Sequence, residues 1–551
     1  MRPRGLAEAM VLVLAGLALT TLLTYPLVVK LDRLGRLNTD DGRWSIWVVS
    51  WVAHALTSQP LNLYDANIFY PHRNTLAFSE ANIGAGAIGA PVWLITHNPY
   101  ATHNVVVVVS FVISIMGAYY LVRALTGSRH GAAVAGVMYA FCPFVFARTA
   151  HIQLMLVGGL PFCMMAFHRL IDRPTVARSV TLGVLLWAQA LSCAYYGIFG
   201  GLMVAFGTLW FAVSRRRWRS GEYWTATGLA ALVCIGLTVP FFYPYIAVQQ
   251  DQGFARTLDD ARMYSADVGA WLASSAWAHR WWLPALGDFN EVLFPGVLVT
   301  AFGVAGFWLG SRSPAEPAHD RPPRDVVFFY AAIIGIAWWA SFGPDAGLYT
   351  LLFETVPLFS FLRAPARMGI MVTLGLTVLA GIAVARLIAS RPRQTAIAAA
   401  LAVAVVAELM AAPLVGLREP APLPRAYAML ATLPRGPVAE FPYFYRRPDF
   451  PRHAYYMLNS TAHWQPLVNG YSDHIPRDFR EQVVPLSSFP SRESFLLLGK
   501  IGARYVVFHL DLYDRRSRER LLERLQSYGR YLRPLMQEED VWLYEIVDWP
   551  N

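Results

Sequence analysis

Apolar runs about 20 residues long recur through this chain, and they decide most of what it can fold into. A backbone inside lipid must satisfy its own hydrogen bonds, so each run reads as a helix. Only 15% of the 551 residues are charged and 56% are hydrophobic. A soluble domain carries roughly 25% charge, so lipid rather than one water-excluded core solvates most of this surface.

Arg-rich ends order the spans. Arg2 and Arg4 precede the first run, Leu6 to Val29, which places the N-terminus in the cytoplasm. No small-x-small cleavage site ends that run, so it is expected to stay as an uncleaved first span. Further runs begin near Val105, Ala132, Ile152, Val180, Tyr196, Ala226, Val292, Val326, Met368 and Ala396. That makes about eleven spans. The clusters Arg215 to Arg219, Arg312 to Arg324 and Arg386 to Arg393 then all fall on one side. An odd count puts the C-terminus outside.

Two stretches depart from bare spans. The first outer loop, 30–104, contains Trp44 to Leu56 and Ile83 to Ile95, apolar but too short to cross. They suit interfacial helices with Trp44, Trp47, Trp51 and Trp93 at headgroup depth. The tail, 413–551, has no spanning run. Strands are expected at Pro437 to Phe441, Ala503 to Leu510 and Val541 to Val547, with a helix at Arg515 to Tyr528. The expected fold class is mainly α: a polytopic helical membrane bundle, 1–412, with a small α/β extracytoplasmic domain, 413–551.

The net charge of +10 is the orientation signal of the loops. No nucleic-acid motif accompanies it. Cys142, Cys163, Cys193 and Cys234 sit inside apolar runs without metal or disulfide spacing, so they read as packing residues. No Gly-rich phosphate loop, HExxH or serine-elbow motif is present.

The order of parts, with Asn38-Thr39-Asp40-Asp41 after the first span and Phe361-Leu362-Arg363-Ala364-Pro365-Ala366-Arg367 before the tenth, resembles the GT-C superfamily of integral-membrane glycosyltransferases. Its members have a first span, an outer loop with two interfacial helices and an acidic motif, then many spans and often a soluble C-terminal domain. The family motif is usually Asp-Glu; here it is Asp-Asp. The resemblance implies transfer of a hexosyl or pentosyl group from a polyprenyl phosphate to an acceptor hydroxyl on a glycan, lipid or protein. It implies inversion, at the outer face of a membrane, for which the short loops suit a bacterial inner membrane. Such a reaction needs a carboxylate to take the acceptor proton, cations for the departing phosphate and an apolar groove for the lipid tail.

Asp40 is the expected general base, with Asp41 orienting it or the acceptor. The same position also suits an ordinary N-cap by Thr39 or Asp40, and the two roles are compatible. Arg363 and Arg367 suit a phosphate, or snorkel at the interface. Glu80 is a second acid, a ligand with Asp40 for a divalent metal, or a solvated loop charge. His97 and His103 lack a third metal ligand and equally fit interfacial polar positions. Arg148, His151 and Gln153 line a cavity or a hairpin turn. Asn469 to His474 is a turn that could contact the acceptor. Two other function classes stay open. A transporter or flippase would show ionisable residues deep in the spans or an inverted repeat. A non-catalytic assembly protein would tolerate loss of Asp40 and Arg363.

Overall fold

The computed structural model describes residues 3–253, 256–312, 323–356, 359 and 361–550. Arg2 and Arg321, used above to orient the chain, lie outside them, as does the side chain of Arg4. Among the described residues seven helices are long and apolar enough to cross a membrane, including Pro99–Thr126, Gly221–Gln252 and Pro365–Ile388. The protein is a helical membrane protein with a small four-stranded sheet. The other expected spans fall on shorter helices, Gly159–Asp172, Val176–Ser192, Val297–Ser311 and Gln394–Leu409.

The chain forms two compact units. The first comprises 1–30, 106–242 and 255–415. Its hub is the helix Gly369–Ile388, buried along nearly its whole length against Val297–Ser311, Arg324–Ser341 and Arg129–Ala140. Lipid offers no hydrophobic drive between helices, so close packing of small residues does the work. Gly306 shows it: a Cβ there would collide with the Leu379 carbonyl. Near the start of the first helix, Pro3–Leu23, Glu8 pairs with Arg123 and accepts the Tyr119 hydroxyl. Arg129 lies 3.6 Å away. A carboxylate on a spanning helix is tolerable because it is paired.

The second unit comprises 31–105, 243–254 and 416–551. The outer loop and the tail fall in this same unit. The helix Asp40–Ser58 packs on Ile83–Thr96 and on Ala454–Asn459. Trp44, Trp47, Trp51 and Trp93 are therefore buried inside this unit, each at most 9% exposed. Trp47 donates its indole N–H to Asn67 at 3.2 Å, and Trp51 donates to the Leu63 carbonyl at 3.0 Å.

The sheet has strands β1 Val438–Phe441, β2 Tyr505–His509, β3 Leu532–Gln537 and β4 Val541–Ile546, in the order β1-β2-β4-β3. β1 and β2 are parallel; the other pairs are antiparallel. Three strands and the helix Arg515–Tyr528 sit where the sequence places them. β3 was not foreseen. It holds Pro534 and has a bulge between Pro534 and Met536, both at home only on an edge strand.

Candidate functional site

The acidic pair opens a helix, and the helix start is built locally. Thr39 has extended backbone and its side chain accepts the Gly42 N–H at 3.2 Å, so Thr39 is the N-cap. Asp40 and Asp41 then occupy the first turn, where the helix dipole favours negative charge. Gly42 is required by close approach: a Cβ there would strike the Arg36 carbonyl. Arg43 reaches back one turn to Asp40 Oδ1 at 2.6 Å. Both side chains are about one-quarter exposed, 27% for Asp40 and 28% for Arg43. Among the described residues Asp40 Oδ2 takes no protein donor. Asp41 Oδ1 accepts the hydroxyl of Tyr471 at 3.3 Å.

Tyr471 lies in the Asn469 to His474 turn, so the structure brings that turn to the acidic pair. It is held there by backbone bonds, Phe69 N–H to the Asn469 carbonyl at 3.0 Å and His474 N–H to the Phe78 carbonyl at 2.9 Å. Asp473 and Glu80 both lie within electrostatic reach of Tyr245, whose hydroxyl accepts the Ala81 N–H at 2.8 Å. Glu80 thus sits in this unit beside Tyr245. Among the described residues no three His, Cys, Asp or Glu side chains are grouped as metal ligands.

The two loop histidines part company. His103 is buried, 3.3 Å from Ser45 Oγ and 3.3 Å from Asn104 Oδ1. His97 packs edge-on to Trp93 at 5.5 Å. Next to it His54 stacks on Trp464 at 4.7 Å. Burial, then the neighbouring His97 and Arg435, pushes the His54 pKa down to about 4.

In the first unit the cations gather around a pair of tyrosines. Tyr195 and Tyr196 open the helix Ala194–Ser214, just after the break at Cys193. The Arg367 guanidinium lies over the Tyr195 ring, 4.3 Å from its centroid. The Tyr195 hydroxyl accepts the Arg363 backbone N–H at 3.0 Å. Arg363 in turn lies 5.0 Å from the Tyr264 ring centroid. Pro365–Met368 is a 3₁₀ turn, so Arg363 and Arg367 do not share an α-helical face. Tyr195 joins them instead. Arg148 and Arg367 are both within reach of Tyr196. Arg148 pairs with Glu291 and covers the Phe144 ring at 4.8 Å. His151 immediately precedes the short helix Ile152–Met155, and Gln153 is buried in it. Asp260 is held below the usual carboxylate range, first by the Thr257 N–H and hydroxyl and then by Arg256 and Arg363.

Sequence reasoning missed Arg43, Tyr471, Tyr195 and Glu291. Arg43 carried a signal, since Asp and Arg three apart on a helix pair. The other three meet their partners only through the fold.

No family model matches the chain, and no curated protein does. Solved structures do. The cryo-EM structure of arabinofuranosyltransferase AftD from mycobacteria aligns over 99% of this chain, with a TM-score of 0.64 and 14% identity. A mutant form of that protein aligns over 99%, with a TM-score of 0.57 and 15% identity. This chain shares the fold of that arabinofuranosyltransferase over nearly its whole length. It spans 40% of the length of AftD and 41% of the mutant structure. Archaeal oligosaccharyltransferase AglB from Archaeoglobus fulgidus, in complex with an inhibitory peptide and a dolichol-phosphate, aligns over 96% of this chain and 72% of its own. That match has a TM-score of 0.48 and 13% identity.

Proposed function

We propose that the protein is a membrane glycosyltransferase that moves a sugar from a polyprenyl-phosphate donor to an acceptor hydroxyl at the outer face of a bacterial inner membrane. The observation that carries this is the acidic pair. Arg43 holds one oxygen of Asp40 and leaves Oδ2 open, while Tyr471 holds Asp41. Asp40 Oδ2 takes the acceptor proton as the acceptor oxygen bonds to the anomeric carbon. The bond from that carbon to the phosphate oxygen breaks, and the electron pair leaves with the lipid phosphate. Attack opposite the leaving group inverts the anomeric centre. Arg363, Arg367 and Arg148 hold the phosphate, with Glu291 and Tyr195 fixing their positions. About eleven spans, a cytoplasmic N-terminus and an extracytoplasmic C-terminal domain complete the reading. AftD is itself an arabinofuranosyltransferase, which supports glycosyl transfer in this chain.

Asp40→Asn tests the base. A positioned acid or base contributes roughly 10²–10⁴-fold. Turnover should fall by about that factor, with the melting temperature and the retention of polyprenyl phosphate unchanged. Full turnover in the variant would remove Asp40 from the mechanism.

A further inference from the structure

Within the second unit a cavity of about 170 Å³ opens between the outer loop and the end of the long helix Gly221–Gln252. It is smaller than the roughly 300–1,000 Å³ of drug-sized ligand sites, so it suits a single ring. Its polar lining comes from His72, Arg73, Asn74, Asp251 and Gln252. Phe78, Ala247 and Val248 supply the apolar part.

The polar groups are partly committed to one another, and that leaves a defined remainder. His72 Nε2 lies 3.0 Å from both oxygens of Asp478, which fixes the ring. The Gln252 amide donates to Asp251 Oδ2 at 2.7 Å, and its oxygen lies 3.4 Å from His474 Nε2. Among the described residues the side chains of Arg73 and Asn74 bond no other protein group. Donors on Arg73 and Asn74 therefore stand against acceptors on Asn74 and Asp251. Phe78 is immobilised by Phe69, at 5.8 Å between centroids, and His474, at 5.3 Å. A rigid aromatic beside mixed donors and acceptors matches the alternating C–H and O–H groups of a neutral polyol. An anion would meet the Asp251 carboxylate.

The cavity is also near the acidic pair. His474 touches Phe78 and Gln252, and Tyr471, three residues earlier, touches Asp41. Three residues span at most roughly 10 Å even when extended. We propose that the cavity is an acceptor subsite. It would hold one neutral sugar ring of a glycan acceptor while a neighbouring ring offers its hydroxyl to Asp40 and Asp41. The ring-binding step stands by itself; the name acceptor rests on the glycosyl-transfer reading.

Saturation-transfer NMR on the full chain in nanodiscs tests it, with methyl α-D-mannopyranoside, methyl α-D-glucopyranoside and methyl α-D-arabinofuranoside as probes. At least one should take up saturation. The signal should weaken about tenfold or more in Asn74→Ala/Asp251→Ala and persist in Asp40→Asn. Three results overturn the proposal: no transfer to any probe, transfer unchanged in the double variant while its melting temperature holds, or displacement of the probe by inorganic phosphate. Retention of polyprenyl phosphate, measured on the same preparation, separates the two readings. Sugar binding without it counts against the transferase alone, and retention without sugar binding counts against the subsite alone.

Discussion

Tyr195 is the residue whose loss best separates a built phosphate site from scattered arginines. It acts on Arg363 through its hydroxyl and on Arg367 through its ring. Tyr195→Phe removes only the hydrogen bond to the Arg363 N–H, worth about 1 kcal/mol. If the bond fixes the turn that carries both arginines, polyprenyl-phosphate affinity falls about fivefold. Tyr195→Leu removes the ring as well, a cation–π contact worth roughly 0.5–1 kcal/mol at a half-exposed site. The sum is about 2 kcal/mol, or about thirtyfold. The assay is titration of polyprenyl phosphate into protein in nanodiscs, read by native mass spectrometry, with melting temperatures taken alongside. Equal affinities for wild type and Tyr195→Leu would refute the assignment of these arginines to the phosphate. Equal losses for Phe and Leu would show that the ring contributes nothing to Arg367.

Gly42→Ala should destabilise the second unit by about 1–3 kcal/mol, since the new methyl group meets the Arg36 carbonyl; thermal melting reads it, and turnover should fall with it because the acidic pair precedes that residue. Burial pushes His453 and His463 down to about 3. Both are neutral in the fold and bind a proton more readily unfolded, so their contribution is whole above about pH 6.5 and is lost as pH falls toward about 3. Between pH 7.5 and 5 each should cost about 2 kcal/mol, seen as a falling melting temperature; a flat profile would contradict it. Glu8→Gln should destabilise the first unit by about 1–3 kcal/mol, less than a fully buried pair because Arg123 is 30% exposed. Melting in detergent measures this, and an unchanged melting temperature would mean the pair contributes nothing.

Local patterns were legible in the sequence, and long-range pairings were not. Unbroken apolar runs placed the helices Pro99–Thr126 and Pro365–Ile388, because lipid selects for them. A buried run bounded by turns placed β2. The packing of the outer loop was not legible, for a physical reason. Short apolar helices with four tryptophans look alike whether they face headgroups or a protein partner. Here the partner lies nearly 400 residues away: Asn67 donates to Ser460 Oγ at 3.0 Å and to the Gln465 carbonyl at 3.2 Å. Tyr70 N–H bonds the Leu467 carbonyl at 2.8 Å, and Leu467 N–H bonds the Asn67 carbonyl at 3.0 Å. Neither segment displays these bonds alone. The acid pair was visible by its place after the first span, and Arg363 and Arg367 as a pair of cations, but not their link through Tyr195.

That pairing of loop and tail bears on the chemistry. An N-cap and a catalytic carboxylate were alternatives for the Thr39–Asp41 segment when only its neighbours in sequence counted. In the fold the roles divide among residues: Thr39 caps, Arg43 takes one oxygen of Asp40, and Tyr471 takes Asp41. Two adjacent carboxylates repel each other, and each has been given its own donor. The donor for Asp41 comes from the tail, through a turn whose Asn469 is itself locked to β1. Its Oδ1 accepts the Glu440 N–H at 2.7 Å, and its amide donates to the Glu440 carbonyl at 2.9 Å. The mixed sheet thereby holds Tyr471 in place, and the geometry of the acidic pair depends on the tail being folded.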